Sequence, residues 1–199
     1  NFLYILQQVC SEPRQLQEAL SKKDKYGYTV LHAASANRNH NVTKAFLHML
    51  QLAFTDKEEL KKELIKQDNY KRTPLDIAAQ NNNHEVISAF LGIFDYAFED
   101  KLERLALQVD HSALRHAASN KNFLALKALL TTLQHISKEQ MRIILTHQDA
   151  SGSTALHSAA SNNNPEVITN FLYILQQVCS EPRQLQEKKK KKDKYGYTP

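Results

Sequence analysis

Residues 24–35 read DKYGYTVLHAAS, and residues 149–161 read DASGSTALHSAAS. Between them lie two weaker copies, DNYKRTPLDIAAQ at 68–80 and DHSALRHAAS at 110–119, and a further copy, DKYGYTP, spans 193–199. The spacings from one leading aspartate to the next are 44, 42, 39 and 44 residues. A period of this size signals stacked supersecondary units, none of which buries its apolar face alone. A longer period encloses the short one. NFLYILQQVCSEPRQLQE at 1–18 recurs unchanged at 170–187, and DKYGYT at 24–29 recurs at 193–198, both at an offset of 169. Between these matches ALSKK at 19–23 has become KKKKK at 188–192. The expected organisation is a single solenoid over 1–199. It has a trailing half-repeat at 1–23, repeats at 24–67, 68–109, 110–148 and 149–192, and the stub of a next repeat at 193–199.

Each repeat opens on a turn and a short helix. Gly27 and Gly152 supply positive φ without a Cβ clash. Thr29, Thr73 and Thr154 stand where a side-chain oxygen caps the helix, and Pro74 suits its first position. Alanine pairs at 33–34, 78–79, 117–118 and 159–160 are read as small because neighbouring repeats approach there. An asparagine-rich stretch follows at 37–41, 81–83, 120–122 and 162–164, and asparagine tolerates the left-handed conformation that ends a helix. A second helix then carries Val42, Ala45, Phe46, Met49, Leu50 and Ala53 at helical spacing, with counterparts in the other repeats. A third helix takes up the remaining length. Thr55 with Glu58, and Ser137 with Gln140, fit the capping-box spacing, and Ser11-Glu12-Pro13 opens the equivalent segment. Leu60, Leu64 and Ile65 form one apolar face of this helix, as do Met141, Ile144 and Leu145 in another repeat.

In this combination the D-x-x-G-x-T-x-L-H stretch, the recurring alanines and Thr73-Pro74-Leu75 resemble the ankyrin repeat. The resemblance covers all four repeats and implies an all-α, ankyrin-like α-solenoid with about three helices per repeat and short finger turns. The repeats depart from the family in length, which is ordinarily about 33 residues. The third repeat lacks the tip before Ser112, and Lys71 stands where Gly27 and Gly152 stand elsewhere. For His32 and His157 the resemblance implies a structural hydrogen bond that links loops. It also implies protein binding through finger tips and the first-helix side. The tip candidates are Lys25, Tyr26, Tyr28, Asn69, Tyr70 and Arg72; the first-helix candidates are Ser35, Gln80, Asn81, Ser119, Asn120, Ser161 and Asn162.

Composition narrows the alternatives. With 4 Gly and 5 Pro in 199 residues, a turn-rich β-sandwich is excluded, and 42% hydrophobic content supports a buried core despite a mean hydropathy of -0.53. No apolar run approaches the roughly 18 residues of a membrane span. The net charge is +5, but residues 170–199 hold seven basic and three acidic side chains against 19 and 18 in the remainder. The basicity is a tail, which argues against nucleic-acid binding along a face. The five lysines at 188–192 are read as a polar cap on a terminal repeat, against a membrane or nucleic-acid anchor.

The sequence carries no motif of catalysis or metal binding. Nine histidines form no row in register, His84-Glu85 has no second His at zinc-helix spacing, and there is no phosphate loop or nucleophile elbow. No metal, cofactor or catalytic residue is expected. Cys10 and Cys179 are one position seen twice; four repeat steps hold them about 30–40 Å apart, beyond disulfide reach. A lone thiol per large unit suits a reducing, intracellular compartment. Asn41-Val42-Thr43 matches a glycosylation sequon but falls at a helix start. The leading functional expectation is a non-catalytic protein-interaction scaffold. The alternatives are a segment of a tandem array or filament of 169-residue units, with head-to-tail self-association, and the targeting module of a larger enzyme or bacterial effector. The cap reading makes a prediction. Restoring Ala, Leu and Ser at 188–190 leaves partner affinity nearly unchanged; loss of most binding with a steep salt slope would favour the anchor.

Overall fold

The computed structural model describes residues 13–98, 111–120, 123–133, 137–178 and 193. The two cysteines, Asp110, the start of the segment at 11–12 and the lysines at 188–192 lie outside them, as does most of the comparison between 1–23 and 170–192. Among the described residues there are eleven helices and no strand. The chain divides into two compact units, Asn1–Gln108 and Val109–Pro199. Unit 1 contains α1 (Pro13–Ser21), α2 (Val30–Ser35), α3 (His40–Ala53), α4 (Lys57–Leu64), α5 (Pro74–Gln80) and α6 (His84–Ala97). Unit 2 contains α7 (His111–Ser119), α8 (Leu124–Leu133), α9 (Lys138–Thr146), α10 (Ala155–Ala160) and α11 (Pro165–Val178).

The three-helix repeat is complete in α2–α3–α4 and in α7–α8–α9. Within unit 1, the first helices α2 and α5 pack side by side, as do the second helices α3 and α6. The added third helix has a consistent place. In unit 1, α4 lies against α6, the second helix of the next repeat, and α1 lies against α3; in unit 2, α9 lies against α11. Gln17 of α1 ties this packing down by donating from Nε2 to the Ala53 carbonyl at 2.8 Å. Each of these third helices therefore covers an apolar face of the second helix in the following repeat. Leu60 and Leu64 are fully buried in this way, together with Val86, Ile87 and Phe90 of α6. Phe94 meets Phe90 and Phe98 with ring centroids 5.9 and 5.4 Å apart, the second pair edge to face. Burying each of these large side chains stabilises the fold by about 1.5–3 kcal/mol.

Several local expectations change. In α3 the buried face consists of Thr43, Leu47, Met49, Leu50 and Ala53, while Val42, Ala45 and Phe46 are half-buried. Thr43 is tolerated there because its Oγ1 donates to the Ala34 carbonyl at 2.7 Å. The alanines in register are Ala34, Ala78, Ala117 and Ala159, all buried, whereas Ala33 and Ala160 are exposed. The cap of α4 is Asp56, whose Oδ1 accepts from the Glu59 amide at 2.9 Å, and not Thr55. At α9 the expected box forms: the Gln140 amide donates to Ser137 Oγ, and the Ser137 amide to Gln140 Oε1.

The asparagine stretch also works differently. Asn82 alone among the described asparagines is left-handed, at φ 54°. Asn39 and Asn83 instead cap α3 and α6 through their side-chain oxygens. Asn164 does the same at α11, accepting from the Glu166 amide at 2.9 Å. These assignments predict an ordered mutational series in urea unfolding. Leu60→Ala loses about 2–5 kcal/mol, Asp56→Ala about 1 kcal/mol, and Thr55→Ala stays within about 0.5 kcal/mol. A Thr55 loss larger than the Asp56 loss would return the cap to the residue first expected.

Candidate functional site

The fingers are built around one carboxylate each. In the first, Asp24 Oδ1 accepts from the Tyr26 and Tyr28 amides at 2.8 and 2.9 Å, and its own amide donates to the Tyr28 carbonyl. In the second, Asp68 Oδ1 accepts from the Tyr70 and Arg72 amides at 2.8 and 2.9 Å. In unit 2, Asp149 Oδ1 accepts from the Ser151 and Ser153 amides at the same two distances. This is an Asx turn doubled, and it satisfies the bend internally without any strand. The turn requires one left-handed residue: Gly27 at φ 80°, Lys71 at φ 63° and Gly152 at φ 79°. Gly27 answers a second demand, because a Cβ there would lie 2.6 Å from Asn69 Oδ1 and 2.8 Å from the Asn69 amide nitrogen.

In unit 1 the two fingers are joined. The Asn69 amide donates to the Tyr26 carbonyl at 3.0 Å, and Asn69 Nδ2 to the Lys25 carbonyl at 3.2 Å. Lys23 Nζ donates to the Gln67 carbonyl at 2.8 Å. Arg72 is the hub. Its guanidinium pairs with Asp68 Oδ2, donates to Tyr28 Oη at 2.6 Å and to Gln80 Oε1 at 3.3 Å, and lies between the rings of Tyr28 and Tyr70.

The first helix reaches the following finger. Thr29 donates its amide to His32 Nδ1 at 3.1 Å, which places the ring proton on Nε2; that proton goes to the Arg72 carbonyl at 3.1 Å. His157 repeats the first half of this arrangement with Thr154, whose amide lies 3.2 Å from Nδ1. Asp76 holds the equivalent place in the second repeat and accepts from the Thr73 amide and hydroxyl at 2.7 and 2.9 Å. In the third repeat Arg115 takes the position and pairs with Asp149 Oδ2 at 2.7 Å. Three residue types thus share one register position, which is why no row of histidines is visible in the sequence.

The candidate residues separate into three groups. Lys25, Tyr26, Tyr28, Asn69, Tyr70 and Arg72 do come together along the edge of the unit 1 fingers, with Gln80 drawn in by Arg72. Of these, Tyr28, Asn69 and Arg72 are occupied in holding the fingers, while Tyr26 and Tyr70 are 49% and 66% exposed. Ser35 does not belong to the surface: it is fully buried, with Oγ donating to the Leu31 carbonyl at 2.8 Å. It occupies the small-residue position next to Ala34, where α5 packs, and a sequence reading cannot separate a small residue on a surface from one beneath a neighbour. Asn81, exposed, turns Nδ2 back onto the Ile77 carbonyl. In unit 2, Ser119 and Ser161 are exposed, and Asn162 Nδ2 donates to the Ala118 and Asn120 carbonyls. Pro74, Thr29, Thr73 and Thr154 are buried at the helix starts. Among the described residues, no group of His, Cys, Asp or Glu is arranged to hold a metal ion, and no helix is long and apolar enough to cross a membrane.

Two family models match the chain: ankyrin repeats (3 copies) over residues 4–100 and ankyrin repeats (many copies) over residues 114–172. No curated protein sequence matches significantly. Among solved structures the chain is similar to the ankyrin repeat domain of Bcl-3, described as a unique member of the IkappaB protein family. The two are 17% identical over 88% of this chain and 93% of that one, with a TM-score of 0.27.

The site electrostatics set a pH response. Burial holds His32 below its ordinary value of 6.5 against the opposing bond to the Arg72 carbonyl. Asp68 and Asp149 are pushed up by burial, but the hydrogen bonds they accept outweigh it and keep both below 3.8. For all three groups the unfolded chain takes up a proton at higher pH than the folded one, so stability falls as pH falls. The expected profile from urea unfolding has two declines. The first begins as pH drops below 6.5 and ends once folded His32 is protonated; the second begins below 3.8 and ends once folded Asp68 and Asp149 are protonated. His32→Gln should flatten the first and leave the second. An unchanged first slope would remove His32 from this role.

Proposed function

The chain belongs to the ankyrin-repeat family, a family of protein-binding modules, and from that premise we propose that it is a non-catalytic scaffold that recognises a protein partner through the edge of its unit 1 fingers. The repeat boundaries read from the sequence are part of this proposal, supported by the recurrence of one turn at Asp24, Asp68 and Asp149. The observation that carries the binding surface is the pair Tyr26 and Tyr70. Each is a large aromatic side chain exposed at a tip whose backbone is already satisfied by aspartate, so neither is required to close its turn. The corresponding residue in unit 2 is Ser151, and the same turn forms around it. Exposed tyrosines on a rigid frame offer contact area with little conformational entropy to lose, which is the property of interface hot spots.

Site-specific photo-cross-linking tests the surface. A photoreactive phenylalanine analogue is placed at Tyr70, at Tyr26, or at Leu52 of α3, which is 48% exposed but carries no role in the proposal. In extract from the source cell, the tip positions should yield the same discrete protein adduct and position 52 should not. Adducts from position 52 alone, or from none of the three, would reject the finger edge as the binding surface.

A further inference from the structure

The finger edge carries a charge that its frame does not use. Lys23, Lys25 and Lys71 are all exposed, and none forms an ion pair among the described residues. Lys25 lies over the ring of Tyr26, with Nζ 4.9 Å from the centroid, and Lys23 reaches only the Gln67 carbonyl. The nearby carboxylates are already committed: Asp24 to two backbone amides, Asp68 to two amides and Arg72. Lys66 is taken by Glu63. Beside the second finger lies a shallow depression of about 750 Å³ lined by Lys23, Ile65, Gln67, Asp68, Asn69 and Lys71. Its lining is largely polar, so an apolar side chain would gain little there. The matching finger of unit 2 reads Asp149-Ala150-Ser151-Gly152-Ser153, with neither a cation nor an aromatic ring on the same turn.

We propose that this edge binds an acidic segment of a protein partner, with Tyr26 and Tyr70 against its backbone and the three lysines around its carboxylates. The inference rests on the protein-binding reading above and adds the partner's chemistry. Aromatic rings next to ammonium groups suit a polypeptide, which presents both apolar stems and carboxylates. A duplex would require cations continued along a face, and outside residues 170–199 the chain is nearly neutral, with 19 basic and 18 acidic side chains. Exposed lysines steer and select an oppositely charged partner more than they hold it. The tyrosines therefore supply the contact and the lysines the choice.

The test uses the full chain and fluorescent peptides of equal length: one rich in Glu and Ser, one with Gln for Glu, and one with Lys for Glu. Fluorescence anisotropy at low and physiological salt should show the Glu peptide binding at least about tenfold tighter than either control, with the margin shrinking as salt rises. Lys25→Glu with Lys71→Glu should abolish that preference and shift it toward the Lys peptide. Tyr26→Ser with Tyr70→Ser should weaken all binding. Thermal melts report folding; the frame uses neither lysine side chain, and aspartate closes each turn without the tyrosine rings, so both double variants should melt close to the parent. If the lysine variant melts early, Lys25→Gln alone replaces it, and if the tyrosine variant melts early, Tyr26→Ser alone replaces it. Equal binding of the Glu and Gln peptides, or no effect of charge reversal, overturns the proposal. So does tighter binding of double-stranded DNA or anionic vesicles in competition at the same salt. The cross-linking experiment separates the two levels. An adduct that survives charge reversal sinks the acidic-segment inference and leaves the scaffold reading standing; loss of every adduct from the parent chain sinks both.

Discussion

A loop that reverses direction without pairing to a strand leaves amide groups pointing into its own bend, where water reaches them poorly. In this protein one aspartate per finger receives them. The same carboxylate oxygen accepts two amides in each of three fingers. Everything else about the fingers follows from that closure. The bend becomes tight enough to need a left-handed residue, and the Asn69 amide can approach the first bend at Tyr26 only because Gly27 has no side chain. In unit 1 the two fingers are then coupled backbone to backbone through Asn69 and Tyr26, with Asn69 Nδ2 and the Arg72 guanidinium adding side-chain links.

A second coupling runs from the first helices α2 and α7 to the finger ahead of each, and its chemistry changes while its task does not. His32 donates a ring proton to a carbonyl; Arg115 donates to the carboxylate of Asp149. The substitution is physically reasonable because the finger ahead offers both acceptors at its base. It also distributes charge differently. A neutral histidine kept below its ordinary value by burial links α2 to the second finger of unit 1, whereas a permanent guanidinium links α7 to the Asp149 finger of unit 2. Acid should therefore loosen the histidine link first, and the arginine link only when its carboxylate partner protonates.

Much of this was legible in the sequence because it rests on local geometry. The helix starts at Thr29, Thr73 and Thr154, the box at Ser137, the left-handed glycines and the third helix all follow from residues a few positions apart. What could not be read depends on neighbours far along the chain. Thr43 and Leu47 belong to the core of α3 only because Ala34 offers an acceptor and α6 covers that side. Ser35 and the solvent-facing serines Ser119 and Ser161 are indistinguishable by type, and only the packing of α5 on α2 buries the first. The choice of Asp56 over Thr55 as cap turns on where the chain leaves α3 at Phe54, a backbone angle that spacing does not encode. Asparagine at a helix end points to a terminator because it tolerates positive φ, yet Asn39, Asn83 and Asn164 use the other property of the residue, a short side chain that caps the next helix.

Lys71 brings these strands together. It occupies the left-handed position that Gly27 and Gly152 fill elsewhere, at φ 63°, where a residue with a Cβ is disfavoured by about 1–2 kcal/mol. A cation placed at such a position is not explained by folding, since glycine closes the same turn in the other two fingers. Nor is it explained by packing, since the side chain is exposed and forms no ion pair among the described residues. An outlier of this kind points to a role outside the fold. The neighbouring Lys23, Lys25, Tyr26 and Tyr70 share its position at the edge of a closed frame. A turn that needs only its aspartate and one left-handed residue leaves its remaining side chains open to selection by a partner, and in unit 1 those side chains are basic and aromatic.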